Sequence, residues 1–342
     1  MVQAEATRQI SFIQAINEAI AQEMRRDPKV IVMGEDAAGA AGRKGKEDAW
    51  GGAMRLTKGL YPEFGAARVR DTPISEAGFI GAGVGAAATG LRPVVELMYV
   101  GFFGVCADQI VNNAAKMHYM FGGKVNVPLT IMTAMGAGTG SAAQHSETLY
   151  SVFTHFPGLK CVVPSDPYTA KGLMTAAIRD NDPVIIFNNR QLMGFKPAGH
   201  VPEEAYTVPI GKARIAREGA DITLIGIGYT THLCLQAAAE LESRGFSAEV
   251  VDLLSLSPMD DETVLASVRK TRRAVIVDED YPRCSIASDL SALIAEEAFD
   301  YLDAPPRRVT PPHTSVPYSN PLEALYVPTV ERVVEAANEV LE

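Results

Sequence analysis

A single glutamate stands directly before an apolar, glycine-rich stretch of this sequence. Glu76 ends the string Asp71-Thr-Pro-Ile-Ser-Glu76, and glycines recur from Gly78 to Gly90. A carboxylate in this position can stabilise the start of a helix through the helix dipole. It can also be a buried acid whose proton affinity is set by desolvation and neighbouring charges, as general acid–base catalysis requires. The residues alone favour the helix-start role and leave the catalytic role open.

His145 is the second candidate for chemistry. It lies in Ala142-Ala-Gln-His-Ser146, after the glycine loop Gly136–Gly140 and before a predicted helix, Ser146–Phe153. Ligand sites of α/β proteins lie where such loops leave the sheet, and histidine can exchange protons near neutral pH. The loop lacks the Lys and Ser/Thr of a phosphate-binding P-loop. A ligand or catalytic role and a purely structural role for His145 are equally open at this stage.

The glycines after Glu76 do not predict a dinucleotide site. Such a fingerprint opens a helix directly after a strand, whereas Pro73 in the preceding segment argues against a central strand. Small residues at these positions favour close packing of a helix instead.

Short buried strands and helices alternate along the chain and must position these residues. The predicted strands of the first half are Val30–Met33, Pro93–Met98, Leu129–Thr133, Cys161–Pro164 and Val184–Phe187. The predicted helices include Gly78–Gly90, Phe103–Met117 and Pro167–Asp180. After a proline-containing polar stretch the alternation resumes. This order predicts an α/β fold with two parallel-sheet domains, residues 1–190 and 211–342, joined by a linker at 191–210.

Composition and charge exclude several classes of partner. The formal net charge is −10 and no long basic run occurs, so neither nucleic acid nor an anionic membrane surface is an expected partner. No stretch reaches the roughly 18 apolar residues of a membrane helix, and the first nine residues do not resemble a secretory signal. The four cysteines are widely spaced, which fits buried thiols and an expected cytoplasmic location.

Several strings together resemble one enzyme family. They are Gly34-Glu-Asp36, Asp71-Thr-Pro-Ile-Ser-Glu76, Gly90-Leu-Arg-Pro93, Gln144-His-Ser146 and Ala177-Ile-Arg-Asp-Asn-Asp-Pro183. The chain resembles, nearly end to end, the beta subunit of the thiamine-diphosphate-dependent component of 2-oxo acid dehydrogenase complexes. Three further strings look most like the acetoin dehydrogenase branch: Asp48-Ala-Trp-Gly-Gly52, Pro282-Arg-Cys284 and Pro312-His-Thr314. The resemblance implies a pyrimidine-binding α/β domain followed by a transketolase C-terminal-like domain.

The resemblance also implies roles for individual residues. Glu76 matches the glutamate that bonds N1′ of the cofactor's aminopyrimidine, and His145 matches a histidine that assists acyl transfer to a lipoyl arm. Met98 and Phe102 match the pyrimidine pocket, although ordinary core packing is an alternative for both. A potassium-binding loop found in some members matches Leu129, Ala177, Ile178, Asp180 and Asp182. For Asp180 and Asp182 a helix-ending turn before proline is an equal alternative.

One missing motif predicts a partner. Thiamine enzymes hold Mg²⁺ and the diphosphate through Gly-Asp-Gly followed by Asn, and Gly-Asp-Gly does not occur in this sequence. The resemblance therefore implies an alpha subunit that holds Mg²⁺, an α₂β₂ heterotetramer with thiamine diphosphate shared between subunits, and a lipoyl acyltransferase core as further partner.

The implied function is cleavage of a C–C bond next to a carbonyl, with acetoin or a 2-oxo acid as small-molecule substrate and lipoamide as acyl acceptor. The alternatives are a pyruvate or branched-chain 2-oxo acid dehydrogenase subunit and, in another class, a non-catalytic scaffold. Compared with acetoin-type relatives, this chain departs at positions expected near the substrate: Gly101, Met132, Asn188, Asn189 and Met193. The loss of polar groups there should alter what the pocket accepts.

Overall fold

The computed structural model describes residues 8–39, 48, 50–194 and 201–342. The elements of the first half are, in chain order, α1 (Phe12–Arg26), β1 (Val30–Gly34), α2 (Leu60–Phe64), β2 (Val69–Asp71), α3 (Glu76–Ala88), β3 (Arg92–Tyr99), α4 (Phe103–Asp108), α5 (Ala115–Met120), β4 (Thr130–Met135), α6 (Tyr150–Thr154), β5 (Lys160–Val162), α7 (Pro167–Arg179) and β6 (Val184–Asn189). A π-helical segment, Gln109–Ala114, joins α4 to α5, and two 3₁₀ segments, Val100–Phe102 and Ala143–His145, precede α4 and α6.

The strands of the first half form a sheet with helices on both faces. Its order is β5-β6-β4-β3-β1-β2, and all of these neighbours pair in parallel. β1, β4 and β6 are buried along their whole length, as expected for parallel strands covered on both sides. One core layer contains side chains of α1 and α7, and the other contains side chains of α3, α4, α5 and α6. The parallel strands have their carboxyl ends at one edge of this sheet, and the candidate site lies at that edge.

Helix α1 shows how local sequence and packing agree. The Ser11 hydroxyl accepts a hydrogen bond from the Gln14 amide, and the Gln14 side chain accepts from the Ser11 amide, which forms a capping box. The face that contains Phe12, Ile16 and Ile20 is fully buried and packs against α7.

The second half contains a separate five-stranded sheet. Its elements are β7 (Arg214–Arg217), β8 (Ile222–Gly226), α8 (Tyr229–Ser243), β9 (Ala248–Asp252), β10 (Ser255–Ser257), α9 (Asp261–Thr271), β11 (Ala274–Val277), α10 (Ile286–Glu297), β12 (Arg307–Val309), α11 (Asn320–Tyr326) and α12 (Val330–Leu341). The sheet order is β12-β11-β8-β9-β7, with β7 antiparallel and the other strands parallel. Helices α8 and α12 cover one face of it.

Strand β10 crosses from the second half to the first. It pairs antiparallel with β5, so that Ser255 lies opposite Val162 and Ser257 opposite Cys161. One hydrophobic cluster also contains residues of both sheets, including Ile131, Phe187, Ile225 and Ile276. The predicted domain limits and the linker at 191–210 stay a prediction, and part of that linker, 195–200, lies outside the described residues.

Two other expectations have definite outcomes. The predicted helix Ser146–Phe153 is wrong at its start, because His145 ends a 3₁₀ turn and α6 begins only at Tyr150. Among the described residues, no helix is both long enough and apolar enough to cross a bilayer.

Three consecutive acids lie buried at the seam between the two halves. Asp278, Glu279 and Asp280 follow β11. The Tyr150 hydroxyl donates to Asp278, and the Ser151 hydroxyl donates to Asp280 at 2.6 Å. Burial, and then the charge of Asp278, raises the pKa of Glu279 to about 8 and that of Asp280 to about 7. The folded protein therefore holds protons here that the unfolded chain releases.

We expect the free energy of unfolding to fall as pH rises from about 5 to about 8 and then to level off. In this window the unfolded chain has lost these protons, since ordinary carboxyl pKa values are about 4, while the folded state still binds them. Thermal melting at about pH 5.5 and about pH 8.5 measures the effect as a Tm drop of several degrees. The double variant Glu279→Gln, Asp280→Asn should flatten the profile. Parallel profiles of the two proteins would contradict this account.

Candidate functional site

Glu76 is the first residue of α3 and lies at the edge where the parallel strands end. Strand β2 ends at Asp71, and Pro73 follows, so the chain leaves the sheet before it turns into α3. The N-cap position belongs to Ser75, which makes no side-chain capping bond. Glu76 itself is only 7% exposed. The position in the first turn is favourable for a carboxylate, but the burial exceeds what a capping role needs.

Two further acids lie beside Glu76. Burial, and then the charges of Glu76 and Asp36, raises the pKa of Glu35, which follows β1. Glu96 in β3 is 3% exposed, and both of its carboxylate oxygens are buried without a hydrogen-bond partner in the described structure. Burial, and then the charge of Glu35, raises the pKa of Glu96 to about 8. The edge of the sheet thus holds two acids, Glu35 and Glu96, whose pKa values are raised by burial.

The sequence analysis assigned no role to Glu35 or Glu96, although both carried a signal. Glu35 lies inside the matching string Gly34-Glu-Asp36. Glu96 is a charged residue within the apolar run Pro93–Met98, and an acid in a strand buried on both faces is unusual unless it has a specific role.

Glycines make room for the Glu96 side chain. A Cβ added to Gly34 would lie 3.0 Å from Glu96 Cβ, and one added to Gly52 would lie 2.8 Å from Glu96 Oε2. Gly52 also has φ +75°, a conformation that glycine adopts without strain. The segment around Gly52 therefore forms a wall of the acidic site.

An aromatic cluster surrounds His145. Its ring meets the ring of Tyr99 edge-on at a centroid distance of 4.6 Å and that of Phe102 at 5.5 Å. The guanidinium of Arg190 lies 5.5 Å from the centre of the Tyr99 ring. Phe102 and His145 are both half-buried, so the cluster presents aromatic surface together with an imidazole.

Met98 lies at an irregularity of β3 beside this cluster. The register of β3 against β4 shifts between Leu97 and Tyr99, which leaves Met98 as the extra, half-buried residue. Bulges of this kind commonly redirect side chains next to active sites. The structure therefore brings Met98, Phe102 and His145 to the carboxyl edge of the sheet.

The loop that contains His145 is held by the second half of the chain. The amides of Gly138 and Gly140 donate to Oε1 and Oε2 of Glu323, in α11, at 2.8 and 2.9 Å. Arg190 donates to the Ser141 hydroxyl and, at 3.5 Å, to the His145 carbonyl. Glu323 is 3% exposed, so it ties the loop from inside the protein.

We expect Glu323→Ala to destabilise the protein by roughly 2–4 kcal/mol. Each hydrogen bond to a charged group contributes about 1.5–3 kcal/mol, and because both bonds are only part-buried, water replaces some of the contribution that is lost. Urea unfolding measures the loss. Glu323→Gln keeps one acceptor oxygen and should show an intermediate value. An unchanged urea midpoint in the alanine variant would show that the two bonds are not needed.

Comparisons with known proteins show the family and the fold of this chain. Residues 8–196 match "Transketolase, pyrimidine binding domain", and residues 211–333 match "Transketolase, C-terminal domain". The chain is 53% identical, over 98% of its own length and 98% of the relative, to acetoin:2,6-dichlorophenolindophenol oxidoreductase subunit beta of Bacillus subtilis (strain 168). It is 44% identical, over 96% of its length and 69% of the relative, to pyruvate dehydrogenase E1 component subunit beta of Rhizobium meliloti (strain 1021).

The chain belongs to the beta subunits of the acetoin and pyruvate dehydrogenase family.

The fold of this family is shared more widely. The structure of a split-gene transketolase, described as an inactive beta4 tetramer, superposes with a TM-score of 0.75 and 22% identity, covering 98% of this chain and 99% of that one. The predicted fold class, two parallel-sheet α/β domains of pyrimidine-binding and transketolase C-terminal type, is confirmed. The prediction that the chain belongs to a thiamine-dependent oxidoreductase family is also confirmed.

The residues of the family's potassium loop lie at the opposite edge of the sheet, where strands begin. Arg92 donates to the carbonyl oxygens of Ile178 and Asp180 at 3.0 and 2.7 Å. Lys160 Nζ pairs with the carboxylates of Asp180 at 2.8 Å and Asp182 at 3.0 Å. Protein cations thus already neutralise part of this loop.

The other two potassium-loop residues have structural contacts of their own. The Leu129 carbonyl accepts a hydrogen bond from the Val184 amide at 2.9 Å, and Ala177 is buried in α7. Within the described residues, no cluster of three or more His, Cys, Asp or Glu side chains is arranged to hold a metal ion.

The residues at which this chain differs from acetoin-type relatives lie in different surroundings. Met132 is fully buried among hydrophobic residues and lies beside Glu96 in the register of β3 and β4, where it offers no charge to that acid. Asn188 has both amide atoms buried without a partner in the described structure. Asn189 donates to Glu279, across the seam. Met193 is 8% exposed, which places it in the interior.

Proposed function

We propose that this chain is the beta subunit of a thiamine-diphosphate-dependent acetoin dehydrogenase. It cleaves the C–C bond next to a carbonyl together with an alpha subunit, and the acyl unit passes to the lipoamide of an acyltransferase core. The observation that carries this proposal is the buried Glu76 at the start of α3, at the same edge of the sheet as the aromatic ring of Phe102 and the imidazole of His145.

The residues of this chain fit the pyrimidine half of the cofactor. Buried polar atoms of Glu35, Thr72 and Glu96 have no partner within the described residues, and such atoms normally find one. Phe102 supplies an aromatic face against which a ring can stack. Glu76 would bond the aminopyrimidine ring nitrogen, and Met98 and Phe102 would line its pocket.

When bound, thiamine diphosphate supplies the nucleophilic carbon and the electron sink for C–C cleavage. The protein's own part is acid–base work and exclusion of water. Glu76 would bond the pyrimidine ring nitrogen and could exchange a proton with it, at a position where its burial excludes water. His145 stands next to the reacting region, where it can exchange a proton with the incoming thiol of the acyl acceptor.

The alpha subunit supplies what this sequence lacks. Mg²⁺ and the diphosphate need a Gly-Asp-Gly motif, which is absent here, so we assign both to the alpha subunit and place the cofactor at the seam of an α₂β₂ heterotetramer. The lipoyl acyltransferase core and the cytoplasmic location belong to the same proposal.

We give potassium no role in the proposed reaction, because Arg92 and Lys160 already bind the loop that was predicted to hold it. Potassium binding stays a prediction, which melting in KCl and in choline chloride would test.

Identity supports acetoin over the pyruvate alternative: the match to the acetoin-type beta subunit is 53%, and that to the pyruvate-type subunit is 44%. Reconstitution of this chain with its cognate alpha subunit, Mg²⁺ and thiamine diphosphate tests the proposal. We expect dye-linked oxidation of acetoin to exceed that of pyruvate and of branched-chain 2-oxo acids at least tenfold. Equal inactivity toward all three classes, in a complex that forms, would favour the scaffold alternative.

A further inference from the structure

The backbone of Gly101 lies against the carboxylate of Glu147. Gly101 is in the turn between β3 and α4, directly before Phe102. A Cβ added to it would lie 2.5 Å from Glu147 Oε2 and 3.0 Å from the Gln144 carbonyl oxygen. A Cβ at 2.5 Å would be too close, so any larger residue at position 101 would force the flexible Glu147 carboxylate to move. Glu147 therefore fills the side-chain position of residue 101 from the neighbouring loop.

Glu147 has no use in the fold that the structure reveals. Its side chain is half-buried, and within the described residues it makes neither an ion pair nor a side-chain hydrogen bond. Burial raises the pKa of Glu147, and its charge, after burial, raises the pKa of Tyr281 from the second half. A half-buried carboxylate that bonds no described residue can accept a hydrogen bond from a ligand.

The position of Glu147 relates it to the candidate site. It is two residues after His145, and the residue that it touches, Gly101, directly precedes Phe102. The rings of Phe102 and His145 meet at 5.5 Å. The Glu147 carboxylate is thus beside the same aromatic cluster that the proposed function uses.

The charges around this cluster disfavour an anionic substrate. Arg190 is the cation beside His145, and its guanidinium already lies over Tyr99 and donates to Ser141 and the His145 carbonyl. Glu147 approaches from one side, and the buried Glu76 and the half-buried Glu35 lie at the edge of the sheet. A carboxylate placed among like charges in a partly desolvated pocket is strongly disfavoured.

We propose that Glu147 is a specificity-determining residue that selects neutral acyloin substrates over 2-oxo acids. Its carboxylate accepts a hydrogen bond from the hydroxyl group next to the substrate carbonyl, and it repels the carboxylate that a 2-oxo acid has in the same place. This inference rests on the proposed function, since it concerns the substrate of that site.

The test is Glu147→Gln in the reconstituted holoenzyme. Glutamine keeps the size and removes the charge, so we expect the ratio of kcat/KM for acetoin to kcat/KM for pyruvate to fall at least tenfold. Calorimetric binding of methyl acetylphosphonate, an anionic mimic of pyruvate, should become several-fold tighter. Glu296→Gln, an exposed acid on α10, is the matched control and should change neither quantity.

Gly101→Ala provides a second, independent variant. Its methyl group must displace the Glu147 carboxylate, so the same ratio should fall although Glu147 is still present. If Glu147→Gln leaves both the ratio and the phosphonate affinity unchanged, the inference is overturned while the proposed function stands. If the wild-type holoenzyme turns over neither substrate class, the proposed function fails, whereas the phosphonate comparison still decides whether Glu147 repels an anion.

Discussion

Replacement of Glu76 by glutamine should lower turnover by a factor of roughly 10² to 10⁴, the usual contribution of a positioned acid–base group. The amide has the shape of the acid but cannot share a proton with the cofactor's ring. The side chain is 7% exposed and lies beside Glu35, and an amide of the same shape should fit this space and leave the fold stable. Dye-linked oxidation of acetoin by the reconstituted complex measures the loss.

Assembly is the control for this prediction. Size-exclusion chromatography of the Glu76→Gln chain with the alpha subunit should show the same complex as the wild type. Glu204→Gln, an exposed acid, should retain full turnover. Undiminished turnover in Glu76→Gln would refute the catalytic role of Glu76.

Replacement of His145 by alanine should lower the lipoamide-dependent rate much more than the dye-linked rate. We expect lipoamide-dependent turnover to fall about 10²-fold or more, because a proton-transfer group beside the acyl acceptor is lost. Dye-linked turnover, which uses no lipoyl thiol, should fall less than tenfold. The ratio of the two rates, measured on one preparation, reports the role of the imidazole.

His118→Ala is the matched control, because His118 is on α5, outside the aromatic cluster, where its ring contacts the Val125 carbonyl. It should change neither rate. His145 also packs against Tyr99 and Phe102, and loss of that packing would lower both rates together. Equal losses in the two assays would therefore show a structural role.

Part of the candidate site could be read from the chain because its signals are local. Pro73 and the apolar glycine stretch predict that a helix starts near Glu76, and the helix does start at that residue. The aromatic neighbours of His145 come from a different strand end, and no local pattern contains Tyr99 and His145 together. Their contact exists because β3 and the loop after β4 leave neighbouring strands at the same edge.

The helix expected directly after His145 shows the limit of local reasoning. Ser146–Phe153 has a helix-compatible composition, yet residues 146–149 leave the 3₁₀ turn without forming one. The loop is instead fixed by Glu323, 183 residues beyond Gly140 along the chain. Two part-buried hydrogen bonds to this carboxylate hold Gly138 and Gly140, and no pattern of neighbouring residues contains that contact.

The sequence by itself determined the alternation of strands and helices, the family, and the identity of Glu76 and His145, because hydrophobic period and matching strings are properties of neighbouring residues. Tertiary structure decided which acids share a site, that Glu147 fills the space beside Gly101, and that Met132, an uncharged residue, lies beside Glu96 in the sheet. Desolvation and charge act over a few ångströms in space, whereas residues that they couple here, such as Glu35 and Glu96, are far apart in the chain.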